Sequence, residues 1–237
     1  MNKHRKTKNI TAAELTHKLS QDKDFMRHQK RRAEYFATLD AEFARDERPV
    51  VDALTESGVP VKSVWDLVNT KRDYRRSIPV LLDHLKRPYP FRIREGIARA
   101  LTIKDAGQAT CNELVNQFRR VSESTDAAQH GFKWALGNAI SVVADNSSFN
   151  EVAELILDKQ HGTSRDMMTL RLPELDSKRA ISVLLELLED NEVASFALIA
   201  LAKLGAQEAR HKIQGLLSHP EPTIRAEARR ALAKLNK

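Results

Sequence analysis

The chain has 237 residues, of which 41% are hydrophobic and only 5% aromatic, and it carries a net charge of +7. Eight glycines and eight prolines are too few for the many turns of a β-sandwich or barrel. A single cysteine, Cys111, excludes an internal disulfide and a multi-cysteine zinc site, and no run of about 18 apolar residues is present to span a membrane.

Residues 1–9 form a basic tail (Lys3, Arg5, Lys6, Lys8), expected to be disordered. No apolar stretch follows these charges, so no secretory signal is read and a cytoplasmic protein is the expectation. Thr11 and Glu14 have capping-box spacing ahead of a long charged helix, or two. Its apolar positions, Leu15, Leu19, Met26, Ala33, Phe36, Leu39 and Phe43, make a thin stripe for about 35 residues. Val51–Leu54 and Val64–Val68 follow as a degenerate helix pair around Gly58 and Pro60. The segment 10–70 is read as an N-terminal helical cap, since terminal units of a repeat array are commonly atypical.

From residue 71 a unit of helix, tight turn, helix recurs. First helices are expected at Ile78–Leu85, Cys111–Phe118, Glu151–Leu157 (with Ser148 and Glu151 as a capping box) and 178–188. Asp190 is placed to cap the next helix, and Gly205 to end it. The second helices align without gaps from Ile93, Phe132, Ser164, Val193 and Ile224, at spacings of 39, 32, 29 and 31 residues. In these segments the ninth residue is Leu101, Ile140, Leu172, Leu201 or Leu232. The fifth is Ile97, Leu136, Met168, Ala197 or Ala228. The second is basic in four of the five (Arg94, Lys133, Arg165, Arg225) and Ala194 in the other. Pro173 should kink or shorten the third second-helix.

A two-helix unit of about 30–40 residues marks a solenoid. These segments resemble the HEAT-repeat family, closest to its short bacterial type, over about residues 77–237. The fold that follows is all-α: a right-handed α-solenoid of about five HEAT-like helix pairs with an N-terminal helical cap, the array running from 71 to 237. The resemblance implies a concave side lined by second helices. It also implies that the aligned basic residue commonly bonds across units to acidic or carbonyl groups in the turns.

Function is read from the expected outward positions. Arg92, Arg94 and Arg99 of one second helix, His130, Lys133, Trp134 and Asn138 of the next, and Arg165 form the candidate binding surface. His130, Trp134, Asn138 and Ser141 follow a helical i, i+4, i+8, i+11 progression. The charge is uneven. Residues 71–104 hold 10 Lys+Arg against 3 Asp+Glu, while residues 105–237 hold 16 against 18. Such a localised field draws anionic partners. No phosphate-binding loop, dinucleotide fingerprint, nucleophile elbow or zinc-protease motif occurs. None of the eight histidines is paired for metal, so no catalytic residue, metal or cofactor is assigned.

Trp65-Asp66-Leu67-Val68-Asn69 is similar to the W-D-x-V-D stretch of alkylpurine DNA glycosylases, which are also HEAT-like. In that family the last Asp supports loss of the damaged base. Asn69 stands there in this chain, and an amide lacks the charge that steadies a cationic sugar. The expectation is therefore a non-catalytic scaffold for a protein partner, monomer favoured, with nucleic-acid binding through the 71–104 region as the alternative.

Overall fold

Position 1, 5 and 9 of each aligned segment carry an apolar side chain or a serine, and that spacing places them on one helix face. In the computed structural model, which describes residues 10–236, all of these side chains are buried except Leu232, which is half-buried in the last helix. The array consists of five consecutive helix pairs. These are α3 (Ile78–Leu85) with α4 (Phe91–Ala100), α5 (Gln108–Arg120) with α6 (Ala127–Val143), and α7 (Phe149–Leu157) with α8 (Asp166–Leu175). They continue with α9 (Ser177–Leu187) and α10 (Ala194–Leu204), then α11 (Arg210–Gly215) and α12 (Pro222–Leu235). The second helices pack side by side in the order α4, α6, α8, α10, α12, and each also packs on its own first helix. No strand occurs among the described residues, and the fold is an α-solenoid.

The residues divide into two compact units, 1–48 and 49–237. In the first, α1 (Ala12–Gln21) opens on the expected capping box: Glu14 N–H donates to Thr11 Oγ1, and Thr11 N–H donates to Glu14 Oε2. The second helix, α2 (Lys23–Glu56), continues across the boundary and contains Pro49. Proline has no N–H to donate to the carbonyl four residues back, so α2 lacks one helical hydrogen bond at Pro49. Of the thin apolar stripe, Leu15, Met26, Phe36 and Leu39 are exposed. Val51–Leu54 belongs to the end of α2 rather than to a separate helix, and Val64–Leu67 is one 3₁₀ turn. The basic tail 1–9 lies outside the described residues.

Two local expectations change. Ser148 does not cap α7 with its side chain; its hydroxyl meets Cys111 Sγ (3.5 Å) and Gln108 (3.3 Å) instead. Its backbone is helical rather than extended, so the hydroxyl cannot reach back to the first-turn N–H groups. Asp190 sits three residues before the N-cap of α10, Val193. Its carboxylate takes Glu192 N–H and Arg165 and so braces the turn. Pro173 lies inside α8, which stops two residues later at Leu175, in keeping with the expected early end. Gly205, at φ +67°, does end α10 in the left-handed conformation that costs glycine no Cβ clash.

Candidate functional site

The aligned basic residues do not point to solvent. Arg165 is fully buried, and its guanidinium donates to the Gly162 carbonyl (2.7 Å), the Ile156 carbonyl (3.0 Å), Asp190 (2.8 Å) and Glu192 (2.9 Å). Lys133 is equally buried: its ammonium donates to the Val121 carbonyl (2.5 Å) and to His161 Nδ1 (3.1 Å), and lies 5.1 Å from the Phe118 ring centre. Burial pushes the Lys133 pKa down, as it does that of His161, where the nearby Lys133 charge adds to the effect. Arg94 is half-buried, donates to Gln117 Oε1 (2.7 Å) and lies 4.4 Å over Phe132. Arg225 donates to the His219 and Pro220 carbonyls, both at 2.7 Å.

One physical reason covers three of the four. Lys133, Arg165 and Arg225 follow the buried first position of their aligned segment, so a long cationic side chain there reaches backbone carbonyls at helix ends and turns, which lack helical donors, whereas Arg94 reaches the Gln117 side chain on α5. Arg94, Lys133 and Arg165 therefore tie one helix pair to its neighbours. Their place in the sequence-derived surface is revised: Lys133 and Arg165 are interior.

The remaining members of that surface stay accessible. Arg92 is exposed. His130 is half-buried, with Nδ1 2.8 Å from Glu123 Oε1. Ser141, the last step of the expected outward progression, is instead buried, and its hydroxyl donates to the Asn138 carbonyl. Arg99 is held by Glu95 one turn earlier (2.7 Å), and its guanidinium lies 5.9 Å from the Trp65 ring centre and 5.3 Å from that of Trp134. The indoles come from the 3₁₀ turn Val64–Leu67 and from α6, with Arg99 of α4 between them. The close fit of the turn on α4 depends on Gly96. A Cβ there would lie 2.6 Å from Val64 Cγ1 and 2.9 Å from Trp65 Nε1, and that Nε1 is buried without a hydrogen-bond acceptor.

Beyond Arg99 a pocket of about 550 Å³ opens. One wall is the loop from Leu67 to Arg75; the other is Arg99, Thr102, Ile103 and Lys104 at the end of α4, with Asn138 of α6. Tyr74, also in that loop, fixes it to α4 by donating its hydroxyl to the Ala100 carbonyl (2.9 Å). Asn69 is in the left-handed region at φ +64°, which an asparagine tolerates better than most side chains. Five of the ten cations of the 71–104 stretch, Lys71, Arg72, Arg75, Arg99 and Lys104, line this one pocket. The sequence shows their excess but not their convergence, which depends on the loop folding back onto α4.

Among the described residues, no group of three or more His, Cys, Asp or Glu is placed to hold a metal ion. No described helix is long and apolar enough to cross a membrane. Cys111 is buried and its thiol pKa is raised by that burial.

The comparisons with known proteins bear on the end of the array. A family model for HEAT repeats matches residues 181–237, most of α9 through α12. No curated protein and no solved structure matches the chain. The matched segment, about a quarter of the chain, is similar to HEAT repeats and is continuous with three further helix pairs.

Proposed function

We propose that this chain is a non-catalytic binding scaffold whose second-helix face, at α4 and α6, receives a protein partner. HEAT repeats generally act as interaction scaffolds. The observation that carries the reading is the Trp65–Arg99–Trp134 cluster. Tryptophan and arginine are the residues that most often dominate binding energy at protein interfaces. Here they are assembled in advance: Glu95 fixes the guanidinium between two indoles, so little side-chain freedom remains to be lost on association. Asn138, one turn beyond Trp134 and half-buried, and His130, one turn before it, extend the surface along α6.

Trp134→Ala should weaken the complex with an affinity-purified partner by more than about 1 kcal/mol in calorimetry. An unchanged affinity, with the variant still folded, would remove this face from consideration.

The competing reading is nucleic-acid binding through residues 71–104. It is favoured by the convergence of cations at the pocket, and opposed by how few of the others are left over. Arg76 donates to the Gly58 carbonyl, Arg87 pairs with Asp83, Lys86 with Glu113, and Arg94 turns to Gln117. A strand needs a longer row of accessible cations than this.

A further inference from the structure

The pocket between the 67–75 loop and the end of α4 is more strongly charged than a protein interface requires. Its lining holds five cations and one carboxylate, Asp73, which lies 3.6 Å from Arg75. Glu95 is the partner of Arg99, but Lys71 and Arg72 make no ion pair among the described residues. The end of α4 contributes roughly half a negative charge. That is small beside the net +4 of the lining side chains, and Tyr74 already occupies the Ala100 carbonyl. Unpaired like charges held together repel, and an anion between them relieves that repulsion.

The shape of the field says what sort of anion. The next two second helices do not extend the cluster: on α8 and α10, Arg171 and Lys203 both pair with Glu174, at 2.6 and 3.0 Å. Five cations are therefore gathered in one cavity of about 550 Å³ instead of continuing as a track along α8 and α10. That volume suits a small ligand or a single side chain with its substituent. Arginine forks bind phosphate oxygens in pairs, and lysine adds a mobile point charge. Asn69, Thr70 and Asn138 supply neutral polar groups around the rim.

We infer that this pocket binds a phosphoryl group, as a phosphomonoester or pyrophosphate, through Lys71, Arg72, Arg75, Arg99 and Lys104. The group is carried either by a free small molecule or by a phosphorylated side chain of a protein. The site adjoins the proposed partner face and shares Arg99 and Asn138 with it, but Lys71 and Arg72 belong to the pocket alone.

The test is titration of the full chain with pyrophosphate by calorimetry, with chloride at matched ionic strength as control. The wild type should bind pyrophosphate, and the Lys71→Glu/Arg72→Glu double variant should bind it at least about tenfold more weakly with an unchanged thermal midpoint, as loss of charge-assisted hydrogen bonds predicts. Both positions are exposed loop residues, so the fold should survive the change. A phosphoserine peptide that binds more tightly than pyrophosphate, with its unphosphorylated form inert, would assign a protein-borne group. Pyrophosphate binding more tightly than the peptide would assign a small molecule.

No binding by the wild type, or equal binding by the double variant, overturns the inference. So does labelled duplex DNA that binds steeply with falling salt and is not displaced by pyrophosphate, since the ligand would then be a strand. The partner reading is judged separately by Trp134→Ala, which leaves Lys71 and Arg72 intact.

Discussion

Arg165 and Asp166 are neighbours in sequence and opposites in energetics. Arg165 is buried with its donors engaged by two carbonyls and two carboxylates. For Asp190, burial pushes the carboxyl pKa up, but the hydrogen bonds from Arg165 and Glu192 N–H and the Arg165 charge outweigh it, so the net shift is downward. Removing the guanidinium would leave that carboxylate buried and unpaired. Arg165→Ala should therefore cost about 3–5 kcal/mol in urea denaturation; a cost below about 1 kcal/mol would mean that the turn does not depend on it.

Asp166 has the reverse problem. Burial raises its pKa to about 6, against the lowering effect of Arg165 and with a smaller raising effect of Glu192, and its Oδ1 is buried with no hydrogen-bond donor. The folded state thus holds a proton that the unfolded chain releases near pH 4. The resulting stability is fully present below that value and is lost as pH rises through about 6. Asp166→Asn abolishes this titration. The variant should be more stable than the wild type at pH 7.5, by up to about 3 kcal/mol, and the difference should vanish near pH 4. Thermal melts at the two pH values check this, and a gap independent of pH would contradict it.

At the level of elements, glycine separates helices that touch from helices that do not. A Cβ on Gly137 of α6 would lie 2.2 Å from the Ser164 carbonyl oxygen, a backbone atom that cannot swing away. Gly215, the last residue of α11, has no atom within 4 Å of its would-be Cβ and no positive φ. Helix propensity alone favours alanine over glycine by about 1 kcal/mol at both sites. Overpacking costs about 1–3 kcal/mol, so it wins at Gly137 and is absent at Gly215. Gly137→Ala should lower the melting temperature and Gly215→Ala should leave it unchanged or raise it. The same sign at both sites would show that the α6 contact is slack.

The positions that bury the second helices were legible because first, fifth and ninth residues fall on one helix face whatever surrounds them. The cap at Ser148 was misread because spacing does not reveal backbone conformation: a helical Ser148 cannot do what an extended one does.

Across the whole array, each helix pair meets mainly its neighbours, so the joints between pairs carry the stability of the stack. Arg94, Lys133 and Arg165 serve the first three joints, and the fourth is built differently. Ala194 takes the place of the basic residue, and His219 meets Asn191 (3.1 Å) while Lys212 reaches Glu189 (3.3 Å). These last contacts are exposed polar pairs, individually worth well under the buried Arg165 network. Acid should weaken the Lys133 joint. Burial, and then the Lys133 charge, lower the His161 pKa, so the stability it contributes is present above its usual range and falls as pH drops through it.

The sequence by itself determined the helix pairs, their number, and the apolar faces that must meet, because helical periodicity and a two-helix repeat are local properties of the chain. It also showed where positive charge is in excess. It did not distinguish a basic side chain that bonds to a turn from one that faces a ligand, since Arg94 and Arg99 differ by five residues on the same helix and both are simply arginine. Tertiary structure decided that: the Gln117 side chain on α5 claims Arg94, Glu95 and two indoles hold Arg99, and the returning 67–75 loop brings Lys71, Arg72 and Arg75 to the pocket that Arg99 and Lys104 also line. Side-chain charge is encoded residue by residue, whereas the company it keeps is set by contacts between segments far apart in the chain.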